Sequence, residues 1–172
     1  MSPAADPALP IVAVQRTYAS SYRACLDVVA RERRYLAQTE APPLERIESF
    51  VDASVADDAI QFFALDRERV VGWADIFPSW AHATAHCGSL GMGVHPHYRG
   101  RGLGRRLLAA CIEKAWTKGL TRIELEARAD NRPAIRLYEQ AGFEHEAVKV
   151  KAMRFDGVYF DAVQMRLLRD DR

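Results

Sequence analysis

Cysteine is scarce: Cys25, Cys87 and Cys111 are the three in a chain of 172 residues. They are too few and too scattered for a disulfide framework, so a reducing cytoplasm is the expected setting. Long hydrophobic runs are missing too. The longest uncharged stretch, Ile76 to Tyr98, holds Pro78, Pro96 and four histidines, and cannot span a bilayer. The opening MSPAADPALP has neither a basic n-region nor a long apolar h-region, which predicts no secretory signal. A net charge of +1 supplies no global field for nucleic acid or a membrane surface. Repeats and internal linkers are also absent. What is present is 49% hydrophobic and 27% charged residues, the mixture of a soluble globular chain of one-domain length. A loose tail over 1–10 and a single domain over 11–172 are expected.

Acidic residues are missing from one long interval, between Asp75 and Glu113. That interval holds Arg99, Arg101, Arg105 and Arg106, with His82, His86, His95 and His97. A local positive focus in a nearly neutral chain suits a small anionic ligand better than a polymer.

The apolar patterning predicts the order β-α-α-β-β-β-α-β-α-β-β, a mixed α/β fold. Ile11 to Arg16 reads as a strand. Tyr18, Tyr22, Cys25, Leu26 and Val29 form one helical stripe, and Leu44, Ile47, Val51 and Val55 a second. IQFFALD and RVVGWADIFP read as a hairpin around Arg67-Glu68, followed by GSLGMGVHP. Leu103, Leu107, Leu108, Cys111 and Ala115 share a helix face that ends at Gly119. TRIELEAR alternates inward at Ile123, Leu125 and Ala127. A short helix follows Asn131, a candidate N-cap, and two strands close the chain around Asp156-Gly157.

The chemistry concentrates between Leu90 and Leu108. Gly91 and Gly93 interrupt a strand, which marks a bulge or a close approach. Arg99-Gly100-Arg101-Gly102-Leu103-Gly104-Arg105 then leads into a helix. Amides at a glycine-rich helix start have no intrahelical acceptor and point outward with the positive end of the helix dipole, ready for a phosphate or pyrophosphate. The run is not a Walker loop, since no lysine precedes Lys114, and its glycine spacing is wrong for a dinucleotide fingerprint.

Arg99-x-x-Gly102-x-Gly104, between a strand and an amphipathic helix, resembles the acyl-CoA signature of the GNAT N-acetyltransferase superfamily. Some 30 residues on, Asn131 to Phe143 resembles that family's N-x-x-A-x-x-x-Y…G-F motif. The resemblance runs over roughly residues 11 to 168. It implies a splayed, mostly antiparallel sheet with helices on both faces, and acetyl-CoA as donor without a metal. It also implies that the amides of Gly100, Arg101, Gly102, Leu103, Gly104 and Arg105 hold the pyrophosphate, with the Arg99 and Arg101 side chains beside it. Met92 and Val94 would pair by main chain with the pantetheine arm, the splay explaining the nearby glycines. The Val94 amide would act as oxyanion donor. Asn131 would bond the pantetheine side, and Tyr138 would place its hydroxyl near the sulfur.

The chemistry asks for such roles on its own account. An alkylamine of pKa about 10.4 is almost wholly protonated at neutral pH, so attack needs a proton acceptor, and the thiolate leaving group benefits from a hydroxyl donor. The strand glutamate of histone-acetylating members is missing: the equivalent position is Gly88, between Cys87 and Ser89. Asp75 is the nearest acid in sequence, and His86 is the other candidate because imidazole titrates near neutrality. Trp73, Phe77 and Trp80 could line an acceptor pocket or belong to the core.

The resulting expectation is acetyl transfer from acetyl-CoA to a primary amine of a small molecule, such as an amino acid or analogue, a polyamine or a drug-like amine, by direct attack in a ternary complex. The alternatives are a non-catalytic acyl-CoA-binding or sensing domain, and an acetyltransferase acting on protein N-termini or lysines. No nucleic-acid or membrane partner is expected, and the final hairpin offers an edge for a homodimer.

Overall fold

The computed structural model of the protein describes residues 8–170, so most of the expected tail lies outside the described residues. The elements in chain order are β1 (Ile11–Ala13), α1 (Ala19–Arg31), α2 (Leu44–Ala56), β2 (Ile60–Asp66), β3 (Arg69–Pro78), β4 (Cys87–Val94), α3 (Leu103–Thr117), β5 (Arg122–Arg128), α4 (Arg132–Gln140), β6 (Glu144–Phe155) and β7 (Val158–Leu168). The strands form one sheet in the order β1-β2-β3-β4-β5-β7-β6, antiparallel except between β4 and β5.

Two apolar layers sandwich this sheet. On one face α1 and α2 press Tyr22, Leu26, Val29, Ile47 and Val51 onto Phe63, Leu65 and Trp73. On the other, Leu107, Leu108 and Cys111 of α3 and Ile135 and Tyr138 of α4 cover Val71, Ala74, Ile76, Leu125 and Met165. Leu107 and Leu108 are fully buried, and each contributes about 1.5–3 kcal/mol by leaving water.

Three local expectations change. The first strand stops at Ala13, and a 3-10 turn over Arg16–Tyr18 leads into α1. In α2 the inward stripe continues through Ser54, while Val55 is 46% exposed. The third change concerns the β4 glycines. Trp73 lies opposite Gly93 and Asp75 opposite Gly91. A Cβ on Gly93 would sit 2.3 Å from the Trp73 ring, and one on Gly91 3.1 Å from Asp75 Oδ1. These glycines therefore make room for the β3 side chains that lie across them, and are not a requirement of strand separation itself.

The separation is nonetheless there. β4 pairs with β5 only through Cys87–Ser89 against Arg122–Glu124. Beyond Ser89 the two strands diverge, β4 staying with β3 and β5 with β7. At the far side of the sheet β6 is an outer strand with exposed Val148 and Val150, and its register shifts around Lys151, which has a φ of 53°.

Candidate active site

The divergence of β4 and β5 opens a cleft of about 940 Å³, lined by residues 89–94 of β4, residues 98–100 and 102–105 of the glycine loop and the start of α3, 124–127 of β5, one side of α4, and Tyr35 to Ala37 of the α1–α2 connection. At one end lies the glycine loop. Gly100 and Gly102 take φ of 72° and 78°, left-handed values that cost other residues about 1–2 kcal/mol. A Cβ at either would meet nothing within 4 Å among the described residues, which leave the space before the loop open. Between Arg99 N–H, which bonds Pro96, and Arg106 N–H, which bonds Gly102, no amide has an acceptor among the described residues. Six consecutive amide donors, Gly100 to Arg105, are thus free at the positive end of α3. Gly104 serves packing: its Cβ would come within 3.3 Å of Leu137 and 3.5 Å of Met92.

The free edge of β4 follows from strand alternation. His95 N–H bonds Val71 O, which turns the main-chain groups of odd-numbered residues toward β3 and those of Met92 and Val94 toward the gap. Across the gap, Asn131 caps α4 by accepting from Ala134 N at 3.4 Å, and its amide nitrogen has no partner among the described residues. Tyr138 is buried on the inner face of α4, its ring tilted against Phe143 at 5.8 Å. Its hydroxyl has no hydrogen-bond partner among the described residues and reaches the cleft lining. Burial pushes that hydroxyl's pKa up to about 12, so it is a proton donor at neutral pH.

Asp75 leans its carboxylate over Gly91, itself part of the cleft wall, from the α1 side. It has neither an ion pair nor a hydrogen bond among the described residues, and burial pushes its pKa up to about 7. A carboxylate poised near neutrality beside a cleft is what a general base requires. His86 is not brought to the cleft. It is exposed at the paired end of β4, where its carbonyl accepts from Thr121 and Arg122. The three aromatics also lie elsewhere: Trp73 packs edge-on to Tyr22, Phe77 faces Phe50, and Trp80 is 95% exposed.

The model of the acetyltransferase (GNAT) family matches residues 22–143. The chain belongs to the GNAT family. It is 39% identical over 87 residues to a mycothiol acetyltransferase of Kocuria rhizophila, which covers 49% of this chain and 29% of that relative. It is 43% identical over 56 residues to the [ribosomal protein bS18]-alanine N-acetyltransferase of Salmonella typhimurium, covering 33% of this chain and 38% of the relative. The chain thus spans well under half of either relative. Among solved structures, the ribosomal-protein-alanine N-acetyltransferase of Brucella melitensis superposes with a TM-score of 0.87 at 22% identity, over 94% of this chain and 100% of that one. A putative acetyltransferase of Salmonella typhimurium, solved with its cofactor acetyl-CoA, gives 0.89 at 19% identity, over 96% of each chain. At these identities the likeness concerns the fold.

In this GNAT chain the α1–α2 connection is fastened over the cleft by arginines. Arg99 does not reach toward the glycine loop as a free charge. Its guanidinium bonds Glu32 at 2.9 Å and Val94 O at 2.9 Å, and lies 4.7 Å over the Tyr35 ring. Arg101 likewise sits 5.4 Å over the Tyr98 ring, outside the cleft lining. On the opposite side Arg33 pairs with Asp156 at 3.0 Å. On the sequence, acceptor contacts are expected from the connection over residues 33–39, from Asp75 and from the final hairpin, and Tyr35 and Asp156 fall in the first and last of these. Glu32 was not legible as a site residue, because no motif contains it.

Proposed function

We propose that this protein transfers an acetyl group from acetyl-CoA to the primary amine of a small molecule. The observation that carries this reading is the continuity of one cleft: six free amides at one end, an unpaired β4 edge along its side, Tyr138 in its lining, and Asp75 against the lining residue Gly91. The residues fit the donor. Open space before two left-handed glycines suits a pyrophosphate, and the Met92 and Val94 main chain suits the amide-bearing pantetheine arm. Acetyl-CoA supplies a thioester carbon for the amine to attack.

The chain's own groups then divide the work. The amides of Gly100 to Arg105 bind and orient the donor. Asn131 directs its free amide N–H toward the arm. The Val94 amide donates to the thioester oxygen as negative charge develops there. Asp75 takes the ammonium proton, a task matched to its near-neutral pKa. Tyr138 donates its hydroxyl proton to the departing sulfur and is reprotonated, by way of solvent, with the second N–H proton shed as the amide forms. His86 is left out of this assignment, since it lies at the other end of β4.

The fastened α1–α2 connection favours a small acceptor, because Tyr35, Leu36 and Ala37 roof the cleft. A protein N-terminus is the second reading, supported by the name of the Salmonella relative. Release of CoA thiol, measured against a panel of free amines and a panel of N-terminal and lysine peptides, separates the two. Turnover with free amines supports the proposal. Turnover confined to peptides replaces it by the second reading.

A further inference from the structure

The least explained polar group in the protein is Gln61. Its side chain is wholly buried, and neither Nε2 nor Oε1 has a hydrogen-bond partner among the described residues. A buried amide without partners costs folding free energy that Met or Leu in its place would not cost. Its position is specific. Gln61 stands directly opposite Asp75 in the β2–β3 register, and Asp75 stands opposite Gly91. The three form a row across the sheet on the face packed against α1, the side chains of directly opposed residues being neighbours.

We infer that Gln61 is the positioning residue of Asp75: its carboxamide holds the carboxyl group over Gly91 across one buried water. A carboxamide can donate or accept through that water, so it serves both states of the acid. The hydrogen bonds to the charged carboxylate are the stronger ones, so the net effect favours the ionised form. The terminal torsion that exchanges the donor and acceptor roles is the softest in the side chain. The proton balance is simple. An N–H bond of the bound ammonium breaks before the freed amine attacks, an O–H bond forms on Asp75, and the proton later leaves to solvent through the cleft.

The other titratable groups near Asp75 do not compete at neutral pH. Tyr22, facing it from α1, has its hydroxyl pKa raised by burial and by the Asp75 charge. Cys25 behind it is pushed up to about 12, and the thiol of Cys111, on the α3 side of the sheet, is also raised by burial. Gly91 contributes no group, which leaves Gln61 as the polar neighbour across the strand pair.

This inference rests on the reading of Asp75 as the base, and its test keeps the two apart. The side-chain carboxyl of Asp75 is titrated by carbon-13 NMR in aspartate-labelled full-length protein, with Asp75→Asn to assign the signal. Gln61→Met keeps length and burial while removing the amide. Loss of a donor to the carboxylate raises the Asp75 midpoint by about one unit, a tenfold change in its proton affinity. The same rise appears in the acidic limb of kcat/KM. Gln61→Leu serves as a second variant should the first fold poorly. A merely structural Gln61 would move the thermal midpoint and leave the Asp75 titration where it is, and that result overturns the inference. If Asp75→Asn leaves the pH–rate profile of the parent intact, the base reading fails instead, while the NMR midpoints still decide whether Gln61 holds the carboxyl group.

Discussion

Arg99 and Glu32 are joined at 2.9 Å across the mouth of the cleft, tying the start of the glycine loop to the end of α1. The same guanidinium bonds the carbonyl of Val94, whose amide faces the gap between β4 and β5. Glycine loop, β4 edge and α1–α2 connection therefore meet at one side chain.

Glu32→Gln tests that junction without touching the glycine loop. Both side chains are partly solvated, so the pair is worth about 1 kcal/mol, a factor of roughly five. The acceptor KM is expected to rise about that much while donor affinity holds. Arg99→Ala should raise both, since it also frees the Val94 carbonyl. Steady-state kinetics with each substrate varied in turn checks this.

Gly102 and Gly104 should differ in kind. At Gly102, φ of 78° strains any L-residue, so Gly102→Ala costs about 1–2 kcal/mol locally and disorders the amide row. At Gly104 a methyl would press on Leu137 at 3.3 Å, a packing problem that α4 can absorb by a small shift. Calorimetric titration with CoA is expected to show the larger loss of affinity for Gly102→Ala.

Asp75 gives a signed pH dependence. Burial holds its proton up to about pH 7 in the folded state, whereas an unfolded aspartate releases it near ~3.9. Between those values the unfolded chain binds fewer protons, so stability falls as pH rises. Asp75→Asn removes this penalty. The thermal midpoint of the variant relative to the parent should climb from pH 4 to about 7 and level off above that. An Asp75 exposed enough to titrate normally would give parallel curves.

Tyr138→Phe keeps the ring against Phe143 and removes only the unpaired hydroxyl. Loss of a general acid is expected to lower kcat by about 10²-fold, with donor affinity little changed. A variant as fast as the parent would make Tyr138 a core residue alone.

The helix faces and the glycine loop were legible because they are written in local spacing. Leu103, Leu107, Leu108, Cys111 and Ala115 are all buried, and Asn131 caps α4. The row Gln61–Asp75–Gly91 was not legible as a row. It depends on the hairpin turn at Arg67 and on the register shift at Ala64/Leu65, and a one-residue slip would have sent Asp75 to the other face. The same limit applied to Arg99. Its motif position predicted an anion contact, but its partner Glu32 lies 67 residues away. The β4 glycines were read as consequences of the splay because Trp73 and Asp75, the side chains that need the room, sit on another strand.

The most direct test of the account is a calorimetric titration of the full chain with acetyl-CoA, with ATP titrated alongside. Saturable one-to-one binding of acetyl-CoA is expected, with none, or far weaker binding, of ATP, because the pantetheine arm needs the free β4 edge as well as the amide row. Absence of acetyl-CoA binding, or ATP binding of equal strength, would contradict it.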